Sequence, residues 1–185
     1  MKNKIKVFFI VFLIIILALR IYYVNKNKHL PIVIEAAQGE KIEYCRMDYS
    51  IDSAMLWEYD DFFQKNQQYM YFKDKNRSSE NTKMLVVKLR FEKNSVHYGE
   101  EAYIADSVPI TYVNIQNWTD PELEKAMNPY EDVNTTGIYT IPYEIYKEYF
   151  TEEKWNDVEK MEFRLVFGTY PERKELIISN YEVDR

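Results

Sequence analysis

Residues 82–91 read Thr-Lys-Met-Leu-Val-Val-Lys-Leu-Arg-Phe, and this stretch decides the fold. The odd positions from 85 to 91 are all apolar, whereas positions 88 and 90 carry Lys and Arg. A period of two is typical of a strand in an antiparallel sheet that has one face in the core and one in water. The stretch therefore predicts a half-buried strand from Met84 to Lys93.

The same alternation returns near the C-terminus, where residues 161–167 read Met-Glu-Phe-Arg-Leu-Val-Phe before Gly168 ends the pattern. In all, about seven or eight short strands separated by turn signals favour a β-sandwich over a βαβ fold. Two short helices, at 120–127 and 143–150, are predicted in the connections, with too few apolar residues to cover a sheet. The remaining strands are predicted at 32–36, 40–51, 68–72, 110–116, 137–142 and 173–183.

The N-terminus has the layout of a membrane-targeting segment. Three lysines within residues 1–6 precede thirteen apolar residues, Val7–Leu19, which Arg20 ends. Thirteen helical residues rise only about 20 Å, short of a hydrocarbon core of roughly 30 Å. Residues 7–24 rise about 27 Å, which suffices if the Arg20 side chain snorkels. The sequence predicts a cytoplasmic basic tail at 1–6, a transmembrane signal anchor at 7–24, a linker at 25–31 and an extracytoplasmic β-sandwich domain at 32–185.

A cleaved signal peptide is the alternative for this segment. Cleavage favours small residues in an A-x-A-like pattern, and only Ala18 is small here. Lipoprotein processing requires a cysteine just after the apolar run, whereas the single cysteine is Cys45. We therefore expect a single-pass protein of the cell membrane, with the membrane as a partner through the N-terminal helix and the C-terminal domain outside.

Composition narrows the class of protein further. Residues 29–185 carry 18 basic and 30 acidic side chains, a net charge of −12. A domain this acidic is not expected to bind nucleic acid by neutralising phosphates. One cysteine cannot form an intrachain disulfide, unlike the disulfide-rich small domains secreted by animals. Abundant Lys, Asn, Ile and Tyr indicate an AT-rich genome, so we expect a bacterial surface protein.

Signs of catalysis are few. A zinc site needs three or four ligands, and beyond the linker only His97 and Cys45 are available. Glycine-rich phosphate loops and a nucleophile elbow are missing from the sequence. The pairs Asp60-Asp61, Glu100-Glu101 and Glu152-Glu153 leave a carboxylate-dependent hydrolase open, but in so acidic a domain they are expected on the surface. We predict no enzyme activity, no catalytic residues, no metal and no cofactor.

Exposed aromatic side chains are the best candidates for binding. Trp118 follows a predicted strand, and Tyr130 follows the predicted helix at 120–127. Tyr and Trp suit recognition surfaces and sugar stacking. Trp118 could equally pack in the core. Trp118 and Tyr130 are our predicted partner contacts.

The pattern as a whole resembles the telokin-like, immunoglobulin-like domains of unknown function on membrane-anchored surface proteins of Gram-positive bacteria. The resemblance rests on residues 82–91, on Gly-Ile-Tyr-Thr-Ile-Pro at 137–142 and on residues 161–171 with 176–178. It implies an all-β, immunoglobulin-like antiparallel sandwich and transfers no catalytic residue.

We therefore predict a membrane-anchored binding or assembly module of the bacterial envelope, whose partner is an envelope protein, a peptide or a glycan. The alternatives are an accessory subunit of a membrane transporter or sensor, and the carboxylate-dependent hydrolase.

Overall fold

A computed structural model describes residues 2–26, 31–93, 108–112, 115–129, 136–168 and 171–184. The chain divides into two compact units, residues 1–31 and 32–185. In its described residues, the first unit contains one helix, α1 (Lys2–Lys26). The second is mostly β-sheet with a few short helices.

The described part of the second unit contains ten strands and three α-helices. The strands are β1 (Ile32–Ala36), β2 (Ile42–Tyr44), β3 (Met47–Glu58), β4 (Thr82–Lys93), β5 (Ile110–Tyr112), β6 (Ile115–Asn117), β7 (Thr136–Tyr146), β8 (Phe163–Phe167), β9 (Glu172–Ile178) and β10 (Glu182–Val183). The helices are α2 (Tyr59–Lys65), α3 (Pro121–Met127) and α4 (Glu152–Asn156), with 3₁₀ turns at Gln67–Phe72, Lys147–Tyr149 and Val158–Lys160.

These strands form two sheets. The first has the order β1-β9-β8-β5-β6, and the second has the order β10-β3-β4-β7 with β2 also paired to β3. Most pairings are antiparallel, but β1 runs parallel to β9 and β10 runs parallel to β3. Both parallel pairs join strands far apart in sequence, so no tight hairpin imposes an antiparallel direction.

The main core contains side chains from both sheets. From β4, the apolar side chains at the odd positions 85, 87, 89 and 91 are all buried, and β8 adds Phe163 and Leu165, neither of which is exposed to solvent. Burying a side chain of this size contributes about 1.5–3 kcal/mol. The alternation in the sequence therefore identified the core faces of β4 and β8.

A second apolar cluster lies on the other face of the second sheet. Phe62 and Phe63 of α2 and Leu123 of α3 pack there with Tyr59 and Met84. Of the two helices predicted in the connections, only the one at 120–127 forms, and Leu123 is the apolar side chain that it buries. Most of the apolar surface on this face comes from α2, and Leu123 of α3 and the 3₁₀ turn at Gln67–Phe72 add to it.

The predicted transmembrane helix is not supported. Among the described residues, no helix combines the length and the apolar character needed to cross a membrane. The helix α1 includes Arg20, so its uninterrupted apolar run is the thirteen residues Val7–Leu19. Such a run is about 20 Å long, shorter than the roughly 30 Å of hydrocarbon. The predicted fold class, an antiparallel immunoglobulin-like sandwich preceded by a transmembrane helix, is corrected accordingly.

Several element boundaries also differ from the sequence predictions. Residues 67–72 form a 3₁₀ turn and not a strand, because Tyr69 and Phe72 pack onto the second cluster. The predicted strand 110–116 is two short strands, and its buried side chains are Ile110 and Tyr112. The predicted helix at 143–150 is instead the end of β7 followed by a 3₁₀ turn.

Candidate binding groove

A groove of about 920 Å³ lies over the outer face of the second sheet. Its floor comprises side chains that alternate with the core residues of β3, β4 and β7. Since a strand directs successive side chains to opposite faces, the burial of Leu56, Leu85 and Ile141 aims their neighbours outward. The floor residues are Met55, Trp57, Val86, Lys88 and Thr140.

The segment that follows β3 forms one wall. Phe62, Asn66, Gln68 and Tyr69 line it, and Met127 of α3 lines the groove from a second element. The aromatic rings hold one another in place. Phe62 lies edge-on to Trp57 with ring centroids 6.0 Å apart, and stacks with Tyr69 at 6.5 Å. This wall therefore presents two aromatic rings, Phe62 and Tyr69, that pack against each other.

The helix α3 begins where the sequence predicts. Asp120 caps it, since its Oδ1 accepts hydrogen bonds from the backbone N–H groups of Glu122 at 2.8 Å and Leu123 at 3.1 Å. Pro121 occupies the first turn, where it has no N–H to leave unsatisfied. The cap fixes the helix so that Leu123 packs in the second cluster and Met127 reaches the groove.

A bulge in β3 shapes the far side of the groove. The register with β4 shifts between Ile51 and Ser53, which leaves Asp52 unpaired in the ladder. As a result, Asp52 and Ser53 are both exposed and both line the groove. Asp52 forms an ion pair with Arg90. Bulges often redirect side chains next to functional sites.

Beside the edge strand β10, the groove is lined by polar residues. Tyr181 is fixed here because its hydroxyl donates to the carbonyl oxygens of Val158 and Met161, each at 3.0 Å. Burial raises the pKa of Tyr181 to about 12, so the hydroxyl stays neutral at physiological pH. The groove thus has an aromatic and apolar half, which offers contact area, and a polar half, which offers hydrogen-bonding groups.

Side chains hydrogen-bond part of the outward-facing backbone of β7, an edge strand of the second sheet. Asn128 Oδ1 accepts from the Thr140 N–H and its Nδ2 donates to the Thr140 carbonyl, both at 2.8 Å. Thr119 Oγ1 donates to the Pro142 carbonyl at 2.5 Å. Pro142 has no N–H to satisfy on this edge, so β7 continues through it instead of ending there as predicted.

Trp118 lies between β6 and α3 and is 53% exposed, so its side chain is at the surface and not in the core. It is not among the residues that line the groove. Its role as a partner contact stays a prediction. Tyr130, the other predicted contact, lies outside the described residues, as do His97 and the Glu100-Glu101 pair.

One member of each acidic pair that the structure describes has a structural partner. Lys73 and the backbone N–H of Ser79, 2.8 Å from Oδ2, hold the pKa of Asp60 below its usual value. Glu152 lies in the first turn of α4 with its Oε1 3.0 Å from Lys147 Nζ. A catalytic acid needs a raised pKa, which is the opposite of what Asp60 has. In the described part of the chain, no group of three or more His, Cys, Asp or Glu side chains is placed to hold a metal ion.

Cys45 is exposed, at the tip of the β2–β3 hairpin. Cys45 and Arg46 both have positive φ, at 49° and 65°. A two-residue hairpin turn requires this conformation, and it is usually formed by Asn-Gly or Gly-containing pairs. The Cys-Arg pair is not one of these turn-forming pairs, so the turn could not be predicted from the sequence.

Fold and groove together define a two-sheet β domain with a surface groove suited to binding. Residues 39–174 match the model of the family described as Domain of unknown function (DUF5028). The match covers most of the chain, which therefore belongs to that family. No curated protein and no solved structure gives a significant match.

Proposed function

We propose that this protein is a non-catalytic binding or assembly module of the bacterial cell envelope, and that it takes up an extended peptide or glycan in the groove on the second sheet. The groove itself is the observation that carries the proposal. Its volume of about 920 Å³ lies within the range of small-ligand sites, and its walls join aromatic rings to amide and carboxylate groups. Aromatic rings supply contact area, and the polar groups fix orientation.

Attachment to a membrane surface through α1 belongs to the same proposal. Ten large hydrophobic side chains between Phe12 and Tyr23 are 46–69% exposed, so the helix offers apolar area for lipid headgroups and acyl chains to cover. The likeness to telokin-like and immunoglobulin-like surface domains of Gram-positive bacteria is also kept as a proposal, supported by the two packed sheets. We propose no catalytic step.

The experiment is a screen of the purified protein against immobilised peptides and cell-wall glycan fragments, repeated with two matched variants. Ser53→Arg places a long side chain in the groove, whereas Ser50→Arg makes the same change three positions earlier on β3, outside the lining. We expect Ser53→Arg to weaken any captured ligand at least about tenfold, and Ser50→Arg to leave it nearly unchanged.

Equal binding by both variants would place the contact surface elsewhere. Trp118→Ala then decides whether the exposed loop before α3 is that surface, since truncating a hot-spot Trp costs about 2 kcal/mol or more. Turnover of a peptide or glycan by the unmodified protein would contradict the proposal outright.

A further inference from the structure

The two longest edge strands are β7 of the second sheet and β1 of the first. They differ in whether side chains cover their outward backbone groups. At β7, the Asn128 side chain bonds both outward backbone groups of Thr140, and the Thr119 hydroxyl bonds the Pro142 carbonyl. At β1, the opposite situation holds. Ile32, Val33 and Ile34 are 63%, 51% and 39% exposed, and β1 is the terminal strand of the first sheet. Exposed apolar edge strands attract further strands.

The backbone of β1 shows which groups are available. The Ile32 N–H donates to the Pro171 carbonyl at 3.0 Å, so residues 32, 34 and 36 direct their backbone groups toward β9. Val33 and Glu35 consequently direct theirs away from the sheet. Among the described residues, no hydrogen bond occupies these outward groups.

Both ends of this free edge are closed. Pro31 has no N–H, and the N–H of Ala37 donates to Glu40 Oε2 at 2.8 Å. The segment with free outward backbone groups is therefore three residues long, Val33–Glu35. Val33 and Glu35 each offer one N–H donor and one C=O acceptor.

This segment is complementary to itself in one antiparallel register. In this register, Val33 of each copy lies opposite Glu35 of the other, so the N–H and C=O groups of both residues are paired in each copy. Ile34 then lies opposite Ile34 of the second copy. Ile32 then lies opposite Ala36, so the core-side face pairs apolar residues only. The charges also fit, because Glu35 meets a valine and is already ion-paired with Arg164 in its own copy.

We propose that β1 pairs antiparallel with β1 of a second copy of this chain, centred on Ile34, so that the two first sheets become one continuous sheet. One short strand per copy gives a contact below the roughly 1,200 Å² of stable complexes, so the association is weak and transient. It is independent of the ligand groove, which lies on the second sheet.

Disulfide trapping in the full-length protein tests this pairing. In a Cys45→Ser background, Ile34→Cys places two thiols directly opposite each other, where Cβ atoms about 4.5–5.5 Å apart permit a bond after slight adjustment. Ile32→Cys is the matched control, because it is more exposed but lies about 13 Å from its counterpart in the proposed register. Mild oxidation should give roughly tenfold more covalent dimer at position 34 than at position 32.

Val33→Pro removes one outward N–H and leaves the bonds to β9 in place, so it should abolish the trapping, whereas Val33→Thr should not. Circular dichroism checks that the proline variant is folded; if it is not, the comparison of positions 34 and 32 decides alone. Equal yields at the two positions would mean random collision and would overturn the proposal. So would full trapping at position 34 in a folded Val33→Pro variant.

Discussion

At the scale of single residues, Asp60 shows how a sequence feature that resembles catalytic chemistry serves structure. Its carboxylate binds the Ser79 N–H at 2.8 Å, and its own N–H donates to Ser79 Oγ at 3.0 Å. Lys73 completes the cluster. The loop 73–79 is thereby tied to the first turn of α2.

The first prediction concerns acid stability. Asp60→Asn should lower the free energy of unfolding by about 1 kcal/mol at pH 7, because it removes the charge that Lys73 and Ser79 stabilise. The folded pKa is depressed, so this contribution is present above the unfolded pKa of about 3.9 and is lost as pH falls through the folded value. Urea melts from pH 7 to pH 2.5 should show the two proteins converging at the acid end. Asp61→Asn, with the same charge change, should not reproduce this, and a gap that does not narrow as the pH falls would contradict the mechanism.

At the scale of elements, strand residues that face the core should differ in their effect on stability from those that face the groove. Leu165 of β8 is fully buried, whereas Lys88 of β4 is exposed on the opposite face of its sheet. Leu165→Ala should cost about 2–5 kcal/mol because it leaves a cavity, and Lys88→Ala should stay within about 0.5 kcal/mol. Urea melts of both variants measure this. Similar losses would mean that the strand register is wrong.

The edge of β7 gives a prediction of a different kind. Asn128→Ala removes both hydrogen bonds to Thr140 and the bond from Nδ2 to the Glu124 carbonyl at 2.7 Å. We expect a loss of about 1–3 kcal/mol in thermal or urea unfolding, since the backbone groups of Thr140 are left without partners. Asn76→Ala, which removes an exposed amide bonded to Asp74 two residues away, is the control and should cost less than about 0.5 kcal/mol. A loss no greater than the control's would show that water replaces the Asn128 side chain.

What the sequence could predict differs from element to element. The faces of β4 and β8 follow from a period of two, and the start of α3 follows from Asp120 and Pro121, because both signals are local. The 3₁₀ turn at 67–72 and the full length of β7 depend on packing and on edge partners distant in the chain, which no local pattern encodes. The groove was missed for the same reason, although the aromatic-rich stretch from Trp57 to Phe72 was a signal that could have indicated it.

At the scale of the whole molecule, the chain divides into two compact units, and the apolar clusters belong to the second. Both apolar clusters of the domain are built from residues between Ala36 and Tyr181. Residues 1–31 form a separate compact unit. The free energy of the β domain should therefore come from contacts within residues 32–185.

The last prediction follows from this division. A protein that begins at residue 29 should fold, because it keeps all of β1 and both clusters. Its urea unfolding midpoint and slope should match those of the domain in the full-length protein, since the slope scales with the surface that unfolding exposes. Far-ultraviolet circular dichroism should show the β-sheet signal retained and the contribution of α1 lost. A protein that begins at residue 37 lacks β1, which leaves the edge of β9 unpaired. Its urea unfolding midpoint should therefore be lower. If the shorter cut at residue 29 were already destabilised, α1 would have to supply contacts on which the domain depends.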